Sequence, residues 1–395
     1  MSANTPGFIG ARLIQARVAR GLSAVDFADL VGLSVQSISK YENGHQSPKP
    51  EVLFNIAATL KLPQSFFLRP LLHDDRNPIF WRGKLSAPVK PKDKAEVKFS
   101  WMKEIVDYLA EFFDFPALSV PVLNVDDIHN VGLDELERIA DEIRDFWGIR
   151  KGPMPDIIDK LESNGILVFR IHIGAEKLDA FSQWSDRFDI PLVVLSRDKT
   201  SAVRQRFDCL HELSHIVAHR SVSRKNLNDR KTYKSIEDQA NRLACCLLLP
   251  EKEFLEELYA PSLDGFLALK ERWGASVAAM IVRCKDLEVL NEKQYERMWI
   301  NYNRRGWRKG EPLDGKIKKE APQLIRKSFE MLIEEKVQSV EDILKALPFP
   351  PKDIEESADL TPGTLTNNTD AGALPTLKKN LAQGTNNVVS IFDKK

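Results

Sequence analysis

The first 70 residues consist of short amphipathic stretches separated by turn residues. Apolar side chains recur three and four positions apart in each stretch, which is the spacing of a helix with one buried face. Successive stretches begin near Ile9, Ser23, Ser34, Pro50 and Pro63. Ser23 and Ser34 are suited to helix N-caps, and Pro50 is suited to a first helical turn. The pattern predicts an all-α domain of five short helices over residues 1–70.

Helical spacing is lost between residues 71 and 98, where prolines and lysines are frequent. This composition predicts a linker, with a partly packed segment at residues 79–81. Helical spacing returns in two stretches, residues 96–115 and 134–147. Asp134 is the predicted N-cap of the second stretch. We therefore expect a helical connecting segment across residues 99–158.

Short β-branched and aromatic runs, which are typical of strands, first appear after residue 160. They cover residues 166–171, 180–184 and 191–195. We expect residues 180–184 to form an edge strand that can pair with an added peptide. Amphipathic helices are predicted at about residues 201–219, 235–249 and within 251–290. The predicted fold class is α+β, with a helical N-terminal domain followed by a mainly helical domain that contains a small sheet.

Composition narrows the class of protein without identifying it. The 395 residues carry 57 basic and 57 acidic side chains, so a wholly polybasic or acidic chain is excluded, but a local basic face is not. No apolar run approaches the roughly 18 residues that span a bilayer, so no membrane partner is expected. The four cysteines form no CxxC pair, which favours a reduced, cytoplasmic compartment. Residues 361–395 are polar and aperiodic, which predicts a disordered tail.

The strongest chemical signal is the run His211-Glu212-Leu213-Ser214-His215. On a helix, positions i and i+4 lie about 40° apart on one face, so both imidazoles can reach one metal ion. Glu212 can reach a water molecule beside that ion and is the candidate general base. A catalytic zinc site needs three protein ligands and one open position, so a third ligand is expected elsewhere.

Glu237 is the predicted third ligand, because it lies on the next predicted helix and shares a face with Asn241. Asn241 is the predicted partner that orients a ligating histidine. Asp238 competes with Glu237 for the ligand role but shares the face of Asn241 less closely. His219 is interpreted as a surface residue or as a residue behind the ligands, because its helical position turns it away from His211.

The stretch from His211 to Pro250 resembles the ImmA/IrrE-type metallopeptidases. The matching residues are His211-Glu212-x-x-His215, Glu237-x-x-Ala240-Asn241 and Leu247-Leu248-x-Pro250. Ser214, Cys245 and Cys246 depart from the commoner residues without touching a ligand. The resemblance extends over about residues 160–310 and includes Gly306–Pro312. It implies a zincin-like domain that holds one Zn²⁺ per chain through His211, His215 and Glu237 and acts on a protein partner, often a repressor.

Residues 9–68 resemble the XRE or phage-repressor type of helix-turn-helix domain. The resemblance is carried by Arg20–Ser23, Phe27-Ala28, Gly32–Ser34 and Ile38–Gly44, among others. By the geometry of that family, the third helix enters the major groove and presents Val35, Gln36, Ser37 and Lys40 to double-stranded operator DNA. Gln36 is the best candidate to read a base, since its amide can pair with adenine. Basic residues exceed acidic ones by only about three there, so the electrostatic contribution to affinity should be modest.

These features predict a DNA-binding transcriptional regulator whose zinc metallopeptidase domain cleaves a protein partner in a stress, phage or mobile-element response. We predict a helix-turn-helix domain at residues 1–70, a linker at residues 71–98 and a helical connection at residues 99–158. A peptidase domain is predicted at residues 159–312, a C-terminal helical segment at residues 313–360 and a tail at residues 361–395.

Several alternatives stay open at this point. The zinc domain can be a sensor that does not cleave, or both domains can only dock partners, as in an antitoxin. The N-terminal domain can serve dimerisation rather than DNA binding, and a homodimer is compatible with either role. The basic and aromatic region of residues 297–327 fits a solvated packing face better than a nucleic-acid contact. Tyr233 is one candidate for stabilising an oxyanion, although its spacing does not support the role.

Overall fold

The computed structural model describes residues 4–72, 77–82, 89–121, 131–175, 178–198 and 201–366. Within these residues the chain forms seventeen α-helices, one short 3₁₀ helix and one four-stranded sheet. The predicted α+β class is therefore confirmed.

The N-terminal region contains the five predicted short helices. They are α1 (Gly10–Ala19), α2 (Ala24–Val31), α3 (Val35–Glu42), α4 (Pro50–Leu60) and a 3₁₀ helix (Gln64–Leu68). The Ser23 hydroxyl accepts a hydrogen bond from Asp26 N and thereby caps α2, while Ser34 caps α3 in the same way. Pro50 stands at the first turn of α4. The predicted caps are confirmed.

Part of the predicted linker is helical. Helix α5 (Val89–Leu109) begins within it, seven residues before the predicted start at Glu96. Pro91, one of the prolines on which the linker prediction rested, lies in the first helical turn, where a missing N–H costs nothing. Helix α6 (Leu133–Phe146) has Gly132 as its N-cap, so the prediction that Asp134 is the cap was wrong by two positions.

The sheet has the strand order β1-β3-β4-β2. Its strands are β1 (Phe80–Trp81), β2 (Leu167–Ile171), β3 (Ala180–Ser185) and β4 (Ile190–Ser196). Strand β4 pairs parallel with β2 and antiparallel with β3, and β3 pairs antiparallel with β1. The three predicted strands are confirmed, but the edge position of residues 180–184 was wrong. Phe80 and Trp81, from the predicted linker, form a short strand on the outer side of β3.

Two helices that follow the sheet carry the metal-site candidates. The helices of this part are α7 (Ile157–Ser163), α8 (Ala202–Ala218), α9 (Arg224–Asn228) and α10 (Arg230–Leu248). Helix α8 packs on β3 and β4, and α10 packs on α8. Helix α10 begins five residues before the predicted start at Ser235, because the Asp229 side chain accepts from Thr232 N and caps it. Glu237 therefore lies two turns inside the helix rather than at its beginning.

The remaining helices complete the chain as far as residue 366. They are α11 (Glu251–Glu257), α12 (Leu263–Trp273), α13 (Val277–Asp286), α14 (Glu292–Arg304), α15 (Leu324–Glu334), α16 (Val340–Ala346) and α17 (Pro351–Ser357). The start of the predicted disordered tail is packed: Leu365 is fully buried, and its N–H donates to Glu355. Residues 367–395 of that predicted tail lie outside the described residues.

The sheet separates two hydrophobic clusters. One face, with Phe169 and Phe181, packs against the N-terminal helices, α5 and the C-terminal helices. The other face, with Val168 and Val193, packs against α8 and α10. The N-terminal helices therefore share their core with the rest of the chain. No helix within the described ranges is both long and apolar enough to cross a bilayer.

Candidate metal centre

Helices α8 and α10 bring His211, His215 and Glu237 together. Both imidazoles are fully buried, and their Nε2 atoms are 3.0 Å apart. The Glu237 carboxylate lies with Oε2 3.6 Å from His211 Nε2 and Oε1 3.3 Å from His215 Nε2. One donor atom from each residue thus lies within 4.8 Å of the other two. Asp238, the competing candidate, is exposed and outside this cluster.

The three donors fit a zinc ion. Zinc binds imidazole nitrogen at about 2.0–2.1 Å in a tetrahedron, which places neighbouring donors about 3.3 Å apart. The two Nε2 atoms are 3.0 Å apart, Glu237 Oε1 lies 3.3 Å from His215 Nε2, and the other oxygen, Oε2, lies 3.6 Å from His211 Nε2, so each of these separations is close to that value. Glu237 Oε1 is buried and has no hydrogen-bond partner among the described residues, so it is available as a ligand. Two imidazoles and one carboxylate leave the fourth position open, as in catalytic sites.

Hydrogen bonds behind the histidines hold both Nε2 lone pairs toward the cluster. Asn241 Oδ1 lies 3.1 Å from His211 Nδ1, and His219 Nδ1 lies 3.0 Å from His215 Nδ1. His219 Nε2 in turn lies 3.1 Å from Gln239 Oε1. We assign an N–H to Nδ1 of both ligating histidines, since this tautomer satisfies the contacts with Asn241 and His219 and leaves both Nε2 lone pairs, 3.0 Å apart, free to bind a metal ion. Burial lowers the pKa of His219 to about 3 and that of His211 well below its usual range, so both rings are neutral.

Glu212 is buried beside the cluster with one free oxygen. Its Oε2 accepts a hydrogen bond from Ser182 Oγ at 2.6 Å, and its Oε1 has no partner among the described residues. Burial raises the pKa of the Glu212 carboxyl well above its usual range, and the hydrogen bond from Ser182 opposes that shift. The result is a carboxylate that binds a proton more strongly than an exposed glutamate does. No sequence pattern near Ser182, on β3, predicted its hydrogen bond to Glu212.

The short strand β1 lies against the same cluster. The Phe80 ring stacks on the His215 ring with centroids 4.7 Å apart. Arg82 pairs with Asp208 at 2.6 Å, and its positive charge further lowers the pKa of His211. Tyr233, the oxyanion candidate, donates its hydroxyl to the Trp81 carbonyl at 2.7 Å. No local pattern predicted that residues 80–82 of the predicted linker lie at the metal centre.

A cavity of about 950 Å³ lies on the Asn241 side of the cluster, between α8 and α10 and the helices α13 and α14. Its lining includes Asn241, Phe207, Trp307 and Arg308. Glu311 anchors this wall, since it accepts hydrogen bonds from Val277 N and Ala278 N at the start of α13 and pairs with buried Lys270. Residues 307–311 therefore form part of the wall of a cavity that also borders Asn241.

The predicted DNA-contacting residues lie on α3. Val35, Gln36 and Lys40 are exposed, whereas Ser37 is half-buried. Ser37 Oγ also lies 2.9 Å from Ser34 Oγ, so its hydroxyl contributes to the helix cap. Gln36 and Lys40, one turn apart on the helix, present the exposed polar groups suited to DNA contact.

The fold and site define a helix-turn-helix protein that carries a second, metallopeptidase-like domain. Residues 13–63 match the family model described as helix-turn-helix. Residues 161–285 match a peptidase family model described as an IrrE N-terminal-like domain, and this range contains β2–β4, α8 and α10. No curated protein matches the chain. The chain thus combines one segment that matches the helix-turn-helix model and one that matches the IrrE N-terminal-like model, the two families that the resemblances predicted.

Proposed function

We propose that this protein is a transcriptional regulator whose IrrE N-terminal-like domain is a zinc endopeptidase that cleaves a protein partner. The observation that carries the proposal is the placement of Glu212. Its carboxylate is fully buried, belongs to the residue next to His211, and is close enough to Glu237 for the two charges to interact, while one of its oxygens is unpaired among the described residues. A site that only bound zinc would gain nothing from a buried carboxylate outside the ligand set.

Each polar residue around the cluster has a task in peptide hydrolysis. A zinc ion bound there would polarise the scissile carbonyl and make water a stronger acid. Glu212 accepts the proton of the attacking water and delivers it to the leaving amine. Ser182 holds the Glu212 carboxylate in place through its 2.6 Å hydrogen bond. Asn241 and His219 keep the ligating imidazoles in the tautomer that directs Nε2 to the ion.

The helix-turn-helix domain supports the regulatory half of the proposal. Its α3 presents Gln36 and Lys40 to solvent, where they can contact a base edge and a phosphate of operator DNA. A protease on the same chain would act on a protein engaged in the same control, and a repressor is the proposed substrate.

A substrate-trapping experiment tests the enzymatic part. The Glu212→Gln variant keeps the three ligands but lacks the base, so it should retain an intact partner that the wild type releases as fragments. The captured protein is then incubated with zinc-loaded wild type. Fragments with a single new terminus support the proposal, whereas a captured partner that wild type leaves intact favours a zinc sensor that does not cleave.

A further inference from the structure

We infer that residues 77–82 of the chain occupy the substrate groove in cis, and that the substrate which replaces them is an extended peptide with an aromatic side chain followed two residues later by an arginine. That the bound peptide is a substrate rests on the proposed peptidase function. The groove and its occupant are argued from contacts alone.

The backbone of this segment adds a strand to the sheet. Phe80 pairs with Ser182 and Trp81 with Phe181, and Arg82 N donates to Ala180 O at 3.1 Å. An extended peptide bound by a protein commonly adds to an exposed sheet edge in this way. The strand that receives it, β3, also carries Ser182, which holds Glu212. The added segment therefore lies along the strand nearest the reacting groups.

The segment does not belong to the part of the chain that matches the peptidase family. That match covers residues 161–285 and includes β3, whereas Phe80 and Trp81 precede it by some 80 positions. Within the matched range, β3 pairs only with β4 among the described residues. The region between the two matched domains thus supplies the strand on its open side.

Alternate side chains of the segment fill two separate pockets. Phe80 is 4% exposed and packs with Val222, Tyr233 and Ile236 while it stacks on His215. Arg82, two residues on, extends to the same side of the strand. Trp81 between them points to the other face of the sheet, where it is 2% exposed and its ring lies 4.4 Å from that of Phe181, so alternation along the strand places Phe80 and Arg82 on the metal side.

The arginine pocket has a definite chemistry. Asp208, whose side chain is only 4% exposed, faces the guanidinium at 2.6 Å. The ring of Phe207 lies 4.9 Å from the Arg82 guanidinium carbon. A buried carboxylate with an aromatic face beside it favours a planar guanidinium over an ammonium group. The pocket therefore selects arginine rather than any cation.

The segment's backbone also reaches the metal helices. The Trp81 carbonyl accepts the Tyr233 hydroxyl at 2.7 Å, and Tyr233 lies one turn before Glu237 on α10. The Tyr233 hydroxyl, a candidate for stabilising an oxyanion, is thus hydrogen-bonded to a peptide group of this chain.

A separate substrate molecule must displace this segment, which competes for the groove as a tethered ligand with an effective concentration on the order of millimolar. The wild-type chain should therefore bind a free peptide weakly.

The test measures peptide binding without cleavage. All proteins are full-length and carry Glu212→Gln. The probe is a fluorescein-labelled synthetic peptide, Asn-Pro-Ile-Phe-Trp-Arg, with the sequence of residues 77–82, followed by fluorescence anisotropy. Phe80→Ala with Arg82→Ala should open the groove and tighten binding at least tenfold. A matched control, Phe146→Ala with Arg138→Ala, removes the same residue types from the exposed face of α6 and should leave binding unchanged.

Further measurements test the arginine pocket and cover the case in which the double variant does not fold. A probe with alanine in place of its arginine should lose the gain, and so should the original probe on the opened chain with Asp208→Asn. Arg82→Ala alone, which leaves the aromatic packing intact, should give a smaller gain in the same direction if the double variant fails to fold. Equal binding by the parent and every opened variant would overturn the inference.

The binding result is separable from the peptidase proposal. Tighter binding by the opened chain, without cleavage when Glu212 is restored, would retain the groove and refute the peptidase. Cleavage of a partner by the wild type, with no change in peptide binding on opening, would retain the peptidase and refute the occupied groove.

Discussion

Arg12 of α1 and Glu104 of α5 form a buried, two-pronged ion pair, with nitrogen–oxygen distances of 2.6 and 3.0 Å. Arg12 also donates to the carbonyls of Arg69 and Pro70, so its guanidinium is satisfied on several sides. The pair fixes the helix-turn-helix domain on α5, which packs in the same core as one face of the sheet.

Breaking this pair should destabilise the whole chain rather than the N-terminal helices alone. Arg12→Ala leaves the buried Glu104 carboxylate with only Arg69 among the described residues, at 3.4 Å, as an ion-pair partner, so the expected cost approaches the ~3–5 kcal/mol of a broken buried pair. Denaturant unfolding followed by tryptophan fluorescence measures the loss. Arg138→Ala, which breaks an exposed pair with Glu135, is the control and should not shift the unfolding midpoint. Two separate transitions in the wild type would show that the domains do not share a core.

Zinc content should depend on the three proposed ligands. His211→Ala or His215→Ala should abolish the single bound equivalent, and Glu237→Gln should weaken it strongly, because each removes one of three protein donors. Asp238→Asn should have no effect, since that side chain is exposed outside the cluster. Metal analysis of the purified proteins measures the zinc content of each variant. Zinc retained after both histidine changes would place the site elsewhere.

The residues behind the ligands should tune metal affinity. His219→Ala or Asn241→Ala removes the acceptor that orients a ligating imidazole, and the expected cost is about 10- to 100-fold in zinc affinity. Competition with a chromogenic chelator measures it. His172→Ala removes a largely exposed histidine and serves as the control. An unchanged affinity in both variants would contradict the tautomer assignment.

Operator binding should depend on α3. Gln36→Ala with Lys40→Ala should weaken binding by about 1–3 kcal/mol for the base contact, plus a salt-sensitive part for the phosphate contact. Mobility shifts on the native promoter region, at two salt concentrations, give both values. Lys293→Ala, on the exposed side of α14, removes a similar charge elsewhere. Undiminished binding would favour a dimerisation or docking role for the N-terminal domain.

Local patterns predicted the helices and the paired histidines well. Ser23 and Ser34 cap the helices as expected, because a capping hydroxyl acts within three residues of its own position. His211 and His215 meet for the same reason, since one helical turn separates them. The prediction of Glu237 as a ligand required the motif from Glu237 to Asn241 as well as helical periodicity.

Contacts between residues far apart in the chain could not be predicted from local sequence patterns. Ser182 reaches Glu212 across 30 positions, and Phe80 reaches His215 across 135, so neither neighbour could be read from spacing. The two-residue strand β1 is too short for a period-two pattern to predict. The error about the edge of β3 follows from this missed strand.

The central claim is that Glu212 is the general base of a peptidase, and the decisive measurement is the rate of partner cleavage by zinc-loaded wild type and Glu212→Gln. Because glutamine keeps the size of the side chain and is not among the ligands, zinc content and operator binding should be unchanged. Cleavage should fall by roughly 10²-fold or more, the usual contribution of a positioned general base. Cleavage at the wild-type rate by a Glu212→Gln protein with full zinc content would contradict the account.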